Sequence, residues 1–243
     1  MRTDAPVIAA LTSLIAVHGR WGFWKCFDRL HRQGHPWNHK RVHRVYCALR
    51  LNLPRRTKRR LPTRLRQPLD APAALNRTWA VDYMTDALYS GQRFRCLTIL
   101  DEGNREGLAI EIGTSIPGPR LVRVLDELIA LHGAPHALRS DNGPEFLSQA
   151  LIDWCAEHGV AQHYIQPGKP DQNAYIERFN RTFRTEVLDA YAFDSLSQVQ
   201  EITHWWLPIY NSERPHDSLG RVPPLTFLPR QSSPGKSTFP VST

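Results

Sequence analysis

From Trp79 onward the apolar positions first alternate and then change period. TWAVDYMTDAL, FRCLTILDEG and EGLAIEIG alternate and read as three strands separated by short polar turns. In PRLVRVLDELIALHG, Leu121, Val124, Leu125, Leu128 and Ile129 recur at helical spacing, with Pro119 at the start and Gly133 at the end. HALRSDN is a short strand, SQALIDWCAEHG a helix with Ser148 in cap position, and VAQHYIQ another strand. QPGKPDQNAYIERFNRTFR opens as a turn and continues as a helix. Its Ile176, Phe179, Phe183 and Val187 form the core-facing stripe. A last helical region runs through SLSQVQEITHWWLPIYNSERPH. The order β-β-β-α-β-α-β-α-α starts with a possible meander. It predicts an α/β fold, a mixed five-stranded sheet flanked by helices.

The N-terminal part has no strand signal. MRTDAPVIAALTSLIAVHGRWGF reads as an ordinary amphipathic helix and not a signal peptide, because His, Arg and Trp close its apolar patch. WGFWKCFDRLHRQ places Phe23, Phe27 and Leu30 on one helix face, with Gly34 as a stop. After Pro36, Asn38 can cap HKRVHRVYCALRL, whose apolar face is Val42, Val45 and Leu49. Two short helices about a Gly-Pro turn, the second carrying Lys40, Arg41 and Arg44, resemble a helix-turn-helix; a generic helical hairpin has the same pattern. Residues 54–77 hold four prolines and no periodicity, and read as a basic, extended linker. The expected organisation is a helical DNA-binding segment over 1–53, the linker over 54–77, the mixed-sheet core with its C-terminal helix over 78–228, and a disordered tail over 229–243.

Composition sharpens this picture. Of 243 residues 41% are hydrophobic, which supports a globular protein. No apolar run approaches the ~20 residues of a membrane helix. The four cysteines are widely spread and read as reduced thiols in the cytosol. The net charge of +8 is unevenly placed: residues 1–77 hold 17 Lys+Arg against 3 Asp+Glu, or +14, and residues 78–243 hold 14 against 20, or −6. So dense a basic region points to a polyanion, most often nucleic acid, and makes Lys40, Arg41 and Arg44 candidate DNA contacts. Cys26, His31, His35, His39, His43 and Cys47 in the hairpin invite a zinc reading. The paired-cysteine knuckle is missing, so they read as polar, DNA-facing or structural side chains.

Three acids stand out. Asp82 lies mid-strand in WAVDYMT, where an acid needs a reason. Asp141 ends the fourth strand, at the carboxyl edge where α/β sheets bind ligands. Glu177 lies near the start of the following helix, on a polar edge with Asn173, Arg181 and Arg184. Alone, Glu177 reads as a surface acid paired with Arg181, worth a few tenths of a kcal/mol. Together the three would repel one another at one sheet edge unless a hard cation neutralised them. Two Mg²⁺ or Mn²⁺ ions suit such a carboxylate set, and the basic arm gives a reason to expect a phosphodiester substrate.

At these residues the sequence resembles the DDE transposases and retroviral integrases. It is most similar to the transposase encoded by the second reading frame of frameshifting bacterial insertion sequences. Asp82, then SDNGPEF, then GKPDQNAYIERFN with 35 residues between Asp141 and Glu177, carry the resemblance. WGFWKCFDRLHRQGHPWNHKRVHRVY is similar to that family's N-terminal helical segment and YNSERPHDSLGRVPPLTFL to its C-terminal signature. The resemblance covers nearly the whole chain. It implies a ribonuclease-H-like core and Mg²⁺-dependent DNA strand cleavage and joining, with Asp82, Asp141 and Glu177 as catalytic, metal-binding acids. Lys169, Asn173 and Arg178 match positions near the DNA end, and Asn142 and Gly143 follow the second Asp as in the family. With Arg181 and Arg184, Lys169 and Arg178 are expected to hold the phosphate backbone.

The partners implied are terminal inverted repeats, target DNA, further copies assembled on DNA, and the upstream reading-frame product, in a bacterial, nucleoid-associated, cytoplasmic setting without a membrane. EGLAIEIG departs from the family's usual stretch. Asp86, Asp101 and Glu145 are further acids near the site. The resemblance places a further helix-turn-helix in the upstream reading frame, and relatives often act as a frameshift fusion of both, so this product is expected to work with that upstream part. Two rivals are a non-catalytic DNA-binding regulator and a ribonuclease-H-type nuclease; YNSERPHDSLG favours the transposase.

Overall fold

The computed structural model describes residues 3–53, 73–166 and 170–230. Lys169, most of the basic linker and the end of the C-terminal tail lie outside the described residues. Three helices come first: α1 (Ala5–Val17), α2 (Phe23–Arg32) and α3 (His39–Ala48). The core follows in the expected order: β1 (Thr78–Ala87), β2 (Arg93–Asp101), β3 (Glu106–Gly113), α4 (Gly118–His132), β4 (Ala137–Ser140), α5 (Gln149–His158), β5 (Ala161–Tyr164), α6 (Ala174–Phe183) and α7 (Leu196–Ser212), closed by the short α8 (Pro224–Phe227). A 3-10 turn, Pro170–Asn173, leads into α6, and a π turn, Arg184–Leu188, leaves it. No described helix is long and apolar enough to cross a membrane.

The five strands form one mixed sheet in the order β3-β2-β1-β4-β5. The first three make an antiparallel meander. β4 joins β1, and β5 joins β4, in parallel. Alternation along β1 divides its side chains between two cores. Trp79 and Val81 point to the face covered by α4 and α5. Ala80 and Met84 point to the opposite face, against Ile176, Phe179 and Phe183 of α6 and Trp206 and Tyr210 of α7. Asp82 shares the parity of Ala80 and Met84, so its side chain is directed to the α6 side. The core stripe read from the sequence is buried as expected, with Ile176, Phe179, Phe183 and Val187 each at most 1% exposed.

Close packing of α6 and α7 on the sheet depends on Gly107. A Cβ there would lie 2.7 Å from both Leu207 and the Phe179 ring. Asn211 completes this contact: Gly107 N donates to its Oδ1 at 2.9 Å, and its Nδ2 donates to Gly107 O at 2.8 Å. The side-chain amide thus acts as a further strand residue would, satisfying buried backbone groups at the sheet edge. Much of YNSERPHDSLG is structural in this way. Arg214 donates to Glu186 after α6 at 2.9 Å, and His216 packs edge-on to Tyr210.

The N-terminal helices enclose their own core around Val7, Leu11, Trp21, Leu30, Val42 and Tyr46. Asn38 caps α3 as expected, accepting from Lys40 N at 2.8 Å. The block after α7 ties this unit to the core. Arg29 pairs with Glu213, Arg221 donates to Asp28 at 2.7 Å, and the Arg221 guanidinium lies over Trp24. One cap differs from expectation. Ser148 has cap geometry, but its hydroxyl donates back to Glu145 O at 2.7 Å, because the tight turn before α5 presents that carbonyl first.

Candidate active site

The sheet register brings the first two acids level. The parallel pairing of β1 and β4 ends at Ala80↔Arg139, and Asp82 and Asp141 each lie two residues beyond it. β1 continues there, while β4 stops at Ser140 and the chain turns out through SDNG. That turn is held by Gly143 N donating to Asp141 Oδ1 at 2.9 Å. The third acid arrives on α6. Asn180 reaches β1 and donates to Asp82 Oδ2 at 2.7 Å. Glu177 sits one turn earlier on the same helix, so the contact that fixes Asn180 places Glu177 beside the same edge.

The electrostatics agree. Asp82 is half-buried, and burial is the main cause pushing its carboxyl up to about 6, with Asp141 and Glu177 adding to the rise. Tyr83 N, at 2.8 Å from Oδ1, and the Asn180 amide oppose it. Asp141 and Glu177 are exposed. Among the described residues no three His, Cys, Asp or Glu stand close enough to hold a metal ion as they are.

What separates these acids from their neighbours is cation pairing. Asp86 pairs with Arg184, Asp101 and Glu106 with Arg230, Glu102 with Arg139, and Glu145 with Arg95. Arg95 holds the Glu145 carboxyl below its usual range. Asp82, Asp141 and Glu177 have no arginine or lysine partner among the described residues. Left with each other, three carboxylate groups offer the hard oxygen donors that Mg²⁺ or Mn²⁺ takes.

The basic candidates divide. Arg178 and Arg181 are exposed and make no ion pair among the described residues. Arg184 is turned back to β1, donating to Asp86 at 3.0 Å and to Thr85 O at 3.0 Å. Asn173 is buried, with no partner for its Oδ1 among the described residues. On α3, Lys40 is exposed, whereas Arg41 and Arg44 both bond to Asp4. Arg44 keeps 66% of its side chain in solvent. Asn180 was legible only as part of the ERFN string; its parity as the fourth residue of that string, three after Glu177, was the available signal.

Comparison with known proteins fits this geometry. Residues 72–170 and 158–224 each match an integrase core domain, and residues 3–59 match an HTH-like domain. The chain is 41% identical to an uncharacterized 39.2 kDa protein of insertion element IS476 from Xanthomonas euvesicatoria, covering 90% of this chain and 63% of that one. It thus spans under two thirds of that relative. It is 38% identical to an uncharacterized 31.7 kDa protein of insertion element IS407 from Burkholderia multivorans, over 90% of this chain and 79% of that one. The fold matches the HTLV-2 integrase catalytic core domain, solved in complex with magnesium, with a TM-score of 0.51 at 18% identity, over 63% of this chain and 96% of that one. The sheet and its flanking helices are therefore ribonuclease-H-like, as expected. The chain belongs to the integrase-core transposase family of bacterial insertion elements.

Proposed function

We propose that this protein is the catalytic part of a transposase that cuts DNA at the ends of its insertion element and joins those ends to target DNA. The observation that carries this is that Asp82 and Asp141 lie level by register, with Glu177 one turn from the Asn180 that bonds Asp82, and that all three lack cationic partners among the described residues while the surrounding acids have an arginine. These three residues would hold Mg²⁺ or Mn²⁺, two ions in our reading. The metal would supply Lewis acidity to a phosphodiester and lower the pKa of an attacking oxygen.

The chain's own residues do the rest. Asn180 orients Asp82 through Oδ2. The Gly143 amide orients Asp141. Exposed Arg178 and Arg181, with Lys169, would hold phosphates beside the carboxylates, and Asn173 would shape the entry to α6. Arg184 would act on DNA only by exchanging Asp86 for phosphate. Lys40, Arg41 and Arg44 of the helical segment (1–53), together with the basic linker (54–77), would add affinity that is mostly independent of sequence. The core spans 78–228; Arg230, at the start of the tail expected disordered over 229–243, is instead pinned to the core by ion pairs with Asp101 and Glu106. The partners would be terminal inverted repeats, target DNA, further copies of the chain assembled on DNA, and the upstream reading-frame product, all in the bacterial cytoplasm.

The test is strand transfer with a labelled element end and a plasmid target. Asp141→Asn should abolish cleavage and joining in Mg²⁺ and Mn²⁺ while DNA binding persists. Retained strand transfer would sink the catalytic assignment. Hydrolysis without joining in the wild type would indicate a nuclease instead.

A further inference from the structure

Two half-buried arginines converge on the start of the helix that carries Glu177. Arg139, two residues before Asp141, donates from Nη1 to Glu102 Oε1 at 2.9 Å and to Gln172 O at 3.1 Å. Gln172 belongs to the 3-10 turn leading into α6, and its own Oε1 accepts from Gln166 N at 2.9 Å. Arg105, from the β2–β3 turn, lies over the ring of Tyr175 in the first turn of α6, its guanidinium carbon 3.4 Å from the ring centroid. Glu102 is 2% exposed and sits where β2 ends, its N–H bonded to Thr78 O at 3.0 Å.

Glu102 forms its ion pair with Arg139 alone, and a buried carboxylate is costly without such a partner. Arg105 is held by the ring beneath it, its Nε and Nη1 buried without a hydrogen-bond partner among the described residues. Here one arginine ties the strand ending in Asp141 to the turn before α6. The other stacks on the ring two residues before Glu177. Neither arginine pairs with Asp82, Asp141 or Glu177 among the described residues, and each is engaged by a protein partner.

We infer that Glu102, Arg139 and Arg105 form a clamp of positioning residues that fixes the first turn of α6, and with it Glu177, relative to Asp141 and Asp82. This rests on the metal-site reading proposed above. The clamp does not touch substrate. It holds the turn Gln172–Asn173 and the ring of Tyr175, so that the third carboxylate arrives at a set position on a helix whose far end is already fastened through Asn180. Supporting groups of this kind commonly change metal affinity by about 10–100-fold when removed.

Two measurements on the full chain test it. Hydrogen exchange of amides 172–177 in metal-free protein reads the clamp directly. Arg139→Met should speed exchange there by about tenfold or more, since a charge-assisted hydrogen bond is lost, while sheet amides stay protected. If Arg139→Met does not fold, Arg105→Met should loosen the same segment. Wild-type exchange rates at 172–177 in the folded variants would overturn the clamp. Mn²⁺ titration followed by electron paramagnetic resonance then reads positioning: Arg139→Met should bind Mn²⁺ about 10–100-fold more weakly. Unchanged Mn²⁺ affinity beside faster exchange would overturn the positioning role. Glu177→Gln is the control. If it binds Mn²⁺ as the wild type does, the metal-site reading itself falls, and the positioning role falls with it, whatever exchange shows.

Discussion

Asn180 and Asp82 are joined across two elements: the Asn180 amide donates to Asp82 Oδ2 at 2.7 Å, while Asn180 Oδ1 is buried without a partner among the described residues. The bond links α6 to β1 at the level of the acid cluster and leaves Glu177 one turn away on the same helix. It also opposes the rise of the Asp82 carboxyl, which burial, Asp141 and Glu177 together push up to about 6.

Removing that donor should push Asp82 further up, because the ionised form loses a hydrogen bond and keeps its repulsive neighbours. In metal-free Asn180→Ala, a carboxyl-carbon NMR titration should show Asp82 deprotonating at higher pH than in the wild type. Strand cleavage should fall about 10–100-fold, with the acid limb of its pH profile moved upward. An Asp82 titration unchanged by the substitution would mean the hydrogen bond does not govern its charge.

Arg181 and Arg184 should differ in their effect on DNA binding. Arg181 is exposed and without an ion pair among the described residues, whereas Arg184 is held by Asp86. Arg181→Gln should reduce the slope of log affinity against log salt by about one, the mark of a lost phosphate contact. Arg184→Gln should change that slope less and lower thermal stability slightly, since a half-exposed pair contributes little. Equal, unchanged slopes for both variants would remove these arginines from the DNA interface.

Acid should destabilise the core through His216. It is 8% exposed, and burial, with help from Arg214, pushes its pKa down to about 3. A base with a lowered folded-state pKa is stabilising above its ordinary value near 6.5, and that contribution is lost as pH falls from there toward 3. His132, pushed down to about 4, acts in the same direction. Asp82 and Glu102, raised to about 6 and about 7, act oppositely, losing stability as pH rises through those values. The difference between wild type and His216→Gln isolates the histidine. The variant's unfolding free energy should depend less on pH between 6.5 and 3, by up to a few kcal/mol. Parallel curves would show that His216 takes up its proton in the folded protein as readily as in the unfolded chain, so that burial does not lower its pKa.

Gly107 and Asn211 should be intolerant in different ways. Gly107→Ala places a methyl 2.7 Å from Leu207 and Phe179, an overpacking cost of about 1–3 kcal/mol. Asn211→Ala leaves the Gly107 N–H and C=O without their side-chain partner, at about 1–3 kcal/mol for each unsatisfied group. Chemical denaturation should show both losses, and only Gly107→Ala should shift α6. A wild-type midpoint for Asn211→Ala would mean that water replaces the amide.

The sequence by itself determined the order of elements, because period-2 and period-3.6 patterns are local properties of a strand or a helix. Trp79, Leu121 and Phe179 each declare their element within a few neighbours. It also determined which three acids to compare, through their blocks and spacing. The tertiary structure decided which acids are neutralised. Asp86 with Arg184, Glu145 with Arg95 and Asp101 with Arg230 are pairs far apart in the chain, invisible to any local pattern. It decided the use of Asn180, since only the packing of α6 on β1 brings that amide to Asp82. It also turned Arg41 and Arg44 toward Asp4, 37 and 40 residues away, where charge composition had presented them only as free cations. Local patterning fixes secondary structure, whereas charge pairing and register are set where distant segments meet.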